Sequence, residues 1–148
     1  MSTIHLVMQG KGGVGKSLLA FYIAQYLLEQ KGKCLVFDTD PINPTLSRTV
    51  SFNNRVVNIL ADDRTTIIKS AFDGMIEACE SMESDAVIDV GSSSFVPMLE
   101  YCEKNDVFGL WHSMSHKCVI HSIVTGKDFT DTCNWFGEIM RRGRHVPS

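Results

Sequence analysis

A chain of 148 residues, 44% hydrophobic and 21% charged, has the length of one domain and is too apolar to stay disordered. Its formal charge of −3 argues against a surface dominated by nucleic-acid phosphate. No apolar run reaches the ~18 residues of a membrane span, and Met1-Ser2-Thr3-Ile4-His5 lacks the basic and apolar regions of an export signal. Five cysteines (Cys34, Cys79, Cys102, Cys118, Cys133), with no C-x-x-C pair among them, read as free thiols in a reducing cytoplasm.

In chain order, Ile4-His5-Leu6-Val7-Met8 is a short apolar run that ends at glycines and reads as a buried parallel strand. Residues 16–31 contain no Gly or Pro and carry Leu19, Ile23, Leu27 and Leu28 at helical spacing, with Gly32 as the C-cap. Cys34-Leu35-Val36-Phe37 is a second buried strand closed by Asp38. Strand, glycine loop, helix and strand make a right-handed βαβ unit. Pro41, Asn43 and Pro44 then mark a loop, and Val56 to Leu60 is a candidate strand. Residues 64–83 read as an amphipathic helix and 86–90 as a buried strand. Gly91-Ser92-Ser93-Ser94 is a loop, and 95–104 turns helical. The runs 107–111 and 119–124 are expected as strands and 128–142 as a helix. Alternating elements imply a three-layer α/β fold around a mainly parallel twisted sheet.

Gly10-Lys11-Gly12-Gly13-Val14-Gly15-Lys16-Ser17 fits both G-x-x-x-x-G-K-[ST] and G-x-G-x-x-G. Lys16-Ser17 decides for the phosphate-binding P-loop. Loop amides wrap phosphate, the lysine adds a point charge, and the hydroxyl ligates Mg²⁺. A dinucleotide fingerprint has no use for that pair, so an NAD-dependent oxidoreductase stays a remote alternative. The loop, through Leu18, is the expected nucleotide-binding segment. Asp89, closing an apolar strand, is the expected acid on the metal side. Lys11 is a second cation in a loop already served by Lys16. It is either a solvated side chain or a cation that reaches phosphate bound in another subunit.

At these residues the chain resembles the deviant Walker-A ATPases, the ParA and MinD type. The signature is Lys11-Gly12-Gly13-Val14-Gly15-Lys16-Ser17, joined by Asp38-Thr39-Asp40-Pro41 and Val87-Ile88-Asp89. Within that family, Gln9-Gly10-Lys11, the run 38–43, the run 89–97 and the run 119–126 are most similar to the TraL-type conjugal transfer proteins. The resemblance implies a cytoplasmic Mg²⁺-dependent ATPase that hydrolyses ATP slowly and forms a homodimer on ATP. Lys16 and the loop amides would hold phosphates, with Ser17, Asp38 and Asp89 on the metal side. Asp40 would position the attacking water, and Lys11 would act in trans. A protein of the conjugation machinery is the implied partner. A ParA-like partitioning ATPase and a non-hydrolysing nucleotide-binding module are the alternatives. Ile42-Asn43-Pro44 departs from the partitioning pattern, and relatives are longer, so the last strands of the family fold are expected to be missing from residues 1–148.

Other features point elsewhere less strongly. His112, His116, Cys118 and His121 lie close in sequence, but a strand over 119–124 would part His121 from the others. Thr125-Gly126-Lys127-Asp128 has the letters of the guanine motif at the wrong spacing, so ATP is expected over GTP. Arg141, Arg142 and Arg144 could touch DNA phosphate, although a solvated end is the plainer reading. Gly143 and Pro147 rule out a MinD-like membrane helix there.

Overall fold

The computed structural model describes residues 2–40, 54–57, 59–62, 66–81 and 84–142. The elements run β1 (Thr3–Val7), α1 (Lys16–Lys31), β2 (Leu35–Asp38), β3 (Asn54–Val56), α2 (Lys69–Ser81), β4 (Ala86–Asp89), α3 (Phe95–Lys104), α4 (Val107–Ser113), β5 (Lys117–His121) and α5 (Phe129–Arg142). The five strands form one sheet in the order β3-β2-β4-β1-β5, and every pairing is parallel. In register, Asp38 lies beside Asp89, and Asp89 and His121 both lie beside Val7. The C-terminal ends of four strands therefore open on one edge, where parallel α/β sheets place their ligands.

Alternation along the strands builds two cores. Ile4, Leu6, Phe37 and Ile88 pack with Phe72, Met75, Met98, Leu99 and Trp111 on one face, where α5 adds Ile139. Val7, Val36 and Val87 pack with Ala20, Ala24 and Leu27 of α1 on the other. Each buried Val, Leu, Ile, Phe or Met among them contributes about 1.5–3 kcal/mol. Small Ala20 and Ala24 let α1 approach the sheet closely. The helix is apolar on nearly every side, so its outward residues Leu18, Tyr22 and Tyr26 remain exposed. Its end follows the sequence expectation: Gly32, at φ 71°, donates its N–H to the Leu28 carbonyl.

Three expectations are corrected. Residues 107–111 are helical, not a strand: Val107, Phe108 and Trp111 fall on one face of α4 and are all buried. A short apolar run does not distinguish a buried strand from a buried helix. The run at 119–124 pairs earlier than expected, as Lys117–His121. The strand expected at 56–60 is Asn54–Val56, and Leu60 instead forms an isolated antiparallel bridge with Ile67, which leaves α2 to begin at Lys69. The Pro41–Pro44 loop, Asn43 included, lies outside the described residues, as does Arg144. Arg142 is held within the chain by Glu100, Glu103 and Glu138, and Arg141 by Glu138. The five cysteines are free thiols. Among the described residues, no helix is long and apolar enough to cross a membrane.

Candidate functional site

The glycine loop leaves β1 and curls before α1. Gly13 and Gly15 sit at φ 74° and 97°, the left-handed region that glycine enters without penalty. Gly15 precedes the first turn of α1 with no side-chain cap and no acid in that turn, so the first amides of the helix are open to an anion. Lys16 is buried, and its ammonium donates to the Lys11 carbonyl at 3.1 Å. Burial lowers its pKa, against the pull of Asp89 and Asp40. The ammonium is thus desolvated and held by one neutral oxygen, which phosphate oxygens would outcompete.

The neighbouring strand ends are stitched together. Thr39 donates its N–H and its hydroxyl to the Asp89 carbonyl, at 3.0 and 3.1 Å. Its hydroxyl accepts the Gly91 N–H, and its carbonyl accepts the Ser94 hydroxyl. The Asp40 N–H bonds the Asp38 carboxylate at 3.1 Å. A Cβ on Gly91 would come within 3.0 Å of the Asp40 side chain, so a larger residue would crowd the close approach of these two loops. Asp38 and Thr39 are fully buried. Sequence reasoning missed Thr39 as the stitch. Its position inside Asp38-Thr39-Asp40 was the signal.

Asp89 faces the same cleft. It is 3% exposed and takes a hydrogen bond from Ser17, yet its Oδ1 has no partner. Burial pushes its pKa up to about 6, with Ser17 and Lys16 pulling down and Asp38 and Asp40 pushing up. A buried carboxylate oxygen left unpaired beside a hydroxyl is costly in the free protein, and a hard divalent cation suits that pair of oxygens. The cleft measures about 420 Å³, room for a polyphosphate, and is lined by Gly12, Gly13, Gly15, Lys16, Ser17, Leu18, Asp40 and Asp89. Val14 lies half-exposed in the loop that borders it.

Gly10 and Lys11 turn away from this cleft toward α5. A Cβ on Gly10 would meet the Trp135 ring at 2.5 Å. The Lys11 ammonium lies 3.0 Å from Asp131 and 3.4 Å from Asp128. Asp128 belongs to the failed guanine motif; here it faces Lys11. The wholly buried Gln9 donates to the carbonyls of Ile123 and Thr132 and accepts the Gly10 N–H. Sequence reasoning missed Asp128, Asp131 and Trp135, which reach the loop from more than 100 residues away. His116 bonds Ser2, while His121 stacks on His5 with ring nitrogens 2.9 Å apart. His116 and His121, grouped in sequence, thus have separate partners.

A model of the CobQ/CobB/MinD/ParA nucleotide binding domain matches residues 5–142. The chain belongs to that family. Two proteins called "Protein TraL" from Escherichia coli are each 43% identical to it over 140 residues, covering 94% of this chain and 57% of theirs. The chain thus spans little more than half the length of these curated relatives. No solved structure matches it. A CobQ/CobB/MinD/ParA domain is a nucleotide-binding domain.

Proposed function

We propose that the chain binds Mg²⁺-ATP in this cleft, hydrolyses it slowly, and dimerises on it as a switch in conjugative DNA transfer. The observation that carries the reading is the unpartnered Asp89 Oδ1 beside Ser17, with the desolvated Lys16 across the same cleft. Lys16 and the amides of Gly12, Gly13, Val14, Gly15, Ser17 and Leu18 orient the phosphates, whereas Gly10, expected among them, spends its N–H on Gln9. Ser17, Asp38 and Asp89 would hold Mg²⁺, whose charge would offset that of the phosphates. Asp40, at the cleft wall, holds the attacking water. Lys11 serves the partner subunit's phosphates. Likeness to the TraL-type proteins supports conjugation as the process and a protein of that machinery as partner.

Calorimetry with Mg²⁺-ATP tests the reading. Lys16→Ala removes a charge-assisted contact worth about 1.5–3 kcal/mol and weakens binding about ten- to a hundredfold. GTP competes poorly, because no residues stand at guanine-motif spacing. Phosphate release by the wild-type chain, lost in Asp40→Ala with ATP binding kept, separates a hydrolase from a non-hydrolysing module. Equal ATP affinity in Lys16→Ala would sink the assignment.

A further inference from the structure

Lys11 is not free to serve a second subunit as it stands. Its ammonium is shared between Asp131 at 3.0 Å and Asp128 at 3.4 Å, and the Asp131 hydrogen bond, followed by that of Asp128, raises its pKa. Asp128 just precedes α5 and Asp131 lies in its first turn, and α5 packs against the loop. Trp135 leaves no room for a side chain on Gly10, and buried Gln9 ties the loop to Ile123 and Thr132. Packing and hydrogen bonds thus tie the loop beside Lys11 to α5, and the long Lys11 side chain is the part with freedom to change partners. We propose that Asp128 and Asp131 are positioning residues that hold Lys11 on its own α5 in the single subunit, and that dimerisation on nucleotide requires their release of it. This rests on the reading of Lys11 as the residue that crosses the dimer interface.

The physics sets the size of the effect. The ion pairs are solvent-exposed, and such pairs are weak and screened by salt. A weak hold suits a switch, since a triphosphate two-fold related to the loop offers a higher density of negative charge than two carboxylates. The hold shifts the balance between one subunit and two without locking it. Removing one carboxylate should lower the ATP concentration for half-dimerisation about threefold, and removing both about tenfold.

The test is sedimentation of the whole chain across an ATP titration, comparing wild type with Asp128→Asn, Asp131→Asn and the pair. Asparagine keeps the shape and removes the charge. The expected result is a midpoint moved to lower ATP at low salt, with the variants converging on wild type near 0.5 M salt, where screening lengths shrink to a few ångströms (~4 Å). Affinity of the single subunit for nucleotide, read at dilute protein, should stay unchanged, as should the urea midpoint; a purely structural role for the aspartates would move the urea midpoint instead. On a Lys11→Ala background the asparagine changes should do nothing. Wild-type and variant midpoints that coincide at low salt, or a variant that dimerises more weakly, would overturn the hold while leaving the switch reading intact. If neither protein dimerises on ATP although both bind it, the switch reading and the hold fall together. Should an asparagine variant unfold, Asp128→Ser and Asp131→Ser, read in the same titration at low and high salt, give the same decision.

Discussion

Asp85 and Asp89 stand at opposite ends of β4, and each is 3% exposed, yet their chemistry runs in opposite directions. Burial would raise the pKa of Asp85, but the hydrogen bond from Lys31, the Thr3 N–H at 2.8 Å and the Lys31 charge bring it below the usual carboxylate range. Asp89 has Ser17 on one side, nothing on Oδ1, and a pKa pushed up to about 6. Equal burial therefore says little. What differs is whether the fold supplies partners. At the N-terminal end of the sheet it does, and Asp85 staples β1 to α1. At the C-terminal end it withholds one, and the site is left with a charge that a ligand can satisfy.

The largest way to break this contrast is Asp85→Ala. It takes the acceptor from the part-buried Thr3 N–H and releases the half-exposed Lys31, and should lower stability by about 2–3 kcal/mol in urea unfolding at pH 7.5. A loss under about 1 kcal/mol would mean that Asp85 is no staple.

Asp89→Asn should move stability the other way. An acid whose folded pKa is raised contributes stability below its unfolded value near 3.8 and loses it as pH climbs through about 6. Removing the charge should thus stabilise the nucleotide-free chain by about 2 kcal/mol at pH 8, with the gain shrinking to nothing near pH 4. The same variant should bind Mg²⁺-ATP more weakly than wild type. A less stable variant at pH 8, measured by urea midpoints, would contradict the unpaired-charge argument.

The smallest effect concerns His5 and His121, whose pKa values burial lowers, with His121 adding to the shift of His5. Bases with depressed folded pKa values contribute stability above the unfolded value near 6.5 and lose it as pH falls below that. Both rings are half-exposed, so screening holds the loss at pH 5 under about 1 kcal/mol. It opposes the Asp89 trend, so it is read most cleanly in the Asp89→Asn background. There, His5→Gln should flatten the slope between pH 5 and 7. A slope that survives the change would assign the acid sensitivity elsewhere.

Sheet and loop were legible because their signals are local. Apolar runs bounded by glycine and acid marked β1, β2 and β4, and the lysine-serine pair after the glycines marked the phosphate loop. Legibility failed where local spacing supports two structures. Residues 107–111 suit a buried strand as well as a helix, and only packing of Trp111 under the sheet chose the helix α4. It failed again in α1, whose apolar residues surround the helix. The small Ala20 and Ala24, rather than the larger Leu19 and Ile23, face the sheet most closely.

By itself, then, the sequence determined a parallel α/β layer fold with a phosphate loop, an acid at the end of β4 and an extra lysine in the loop. These follow from backbone freedom at glycines, side-chain periodicity and residue chemistry over a few neighbours. Only the tertiary structure decided which charges have partners. Lys31 and Thr3 reach Asp85 across 54 and 82 residues, and Asp131 reaches Lys11 across 120. A carboxylate becomes a staple, a ligand seat or a hold on a lysine according to what the folded chain brings within about 3 Å, where charge-assisted hydrogen bonds form, and no local pattern encodes that distance.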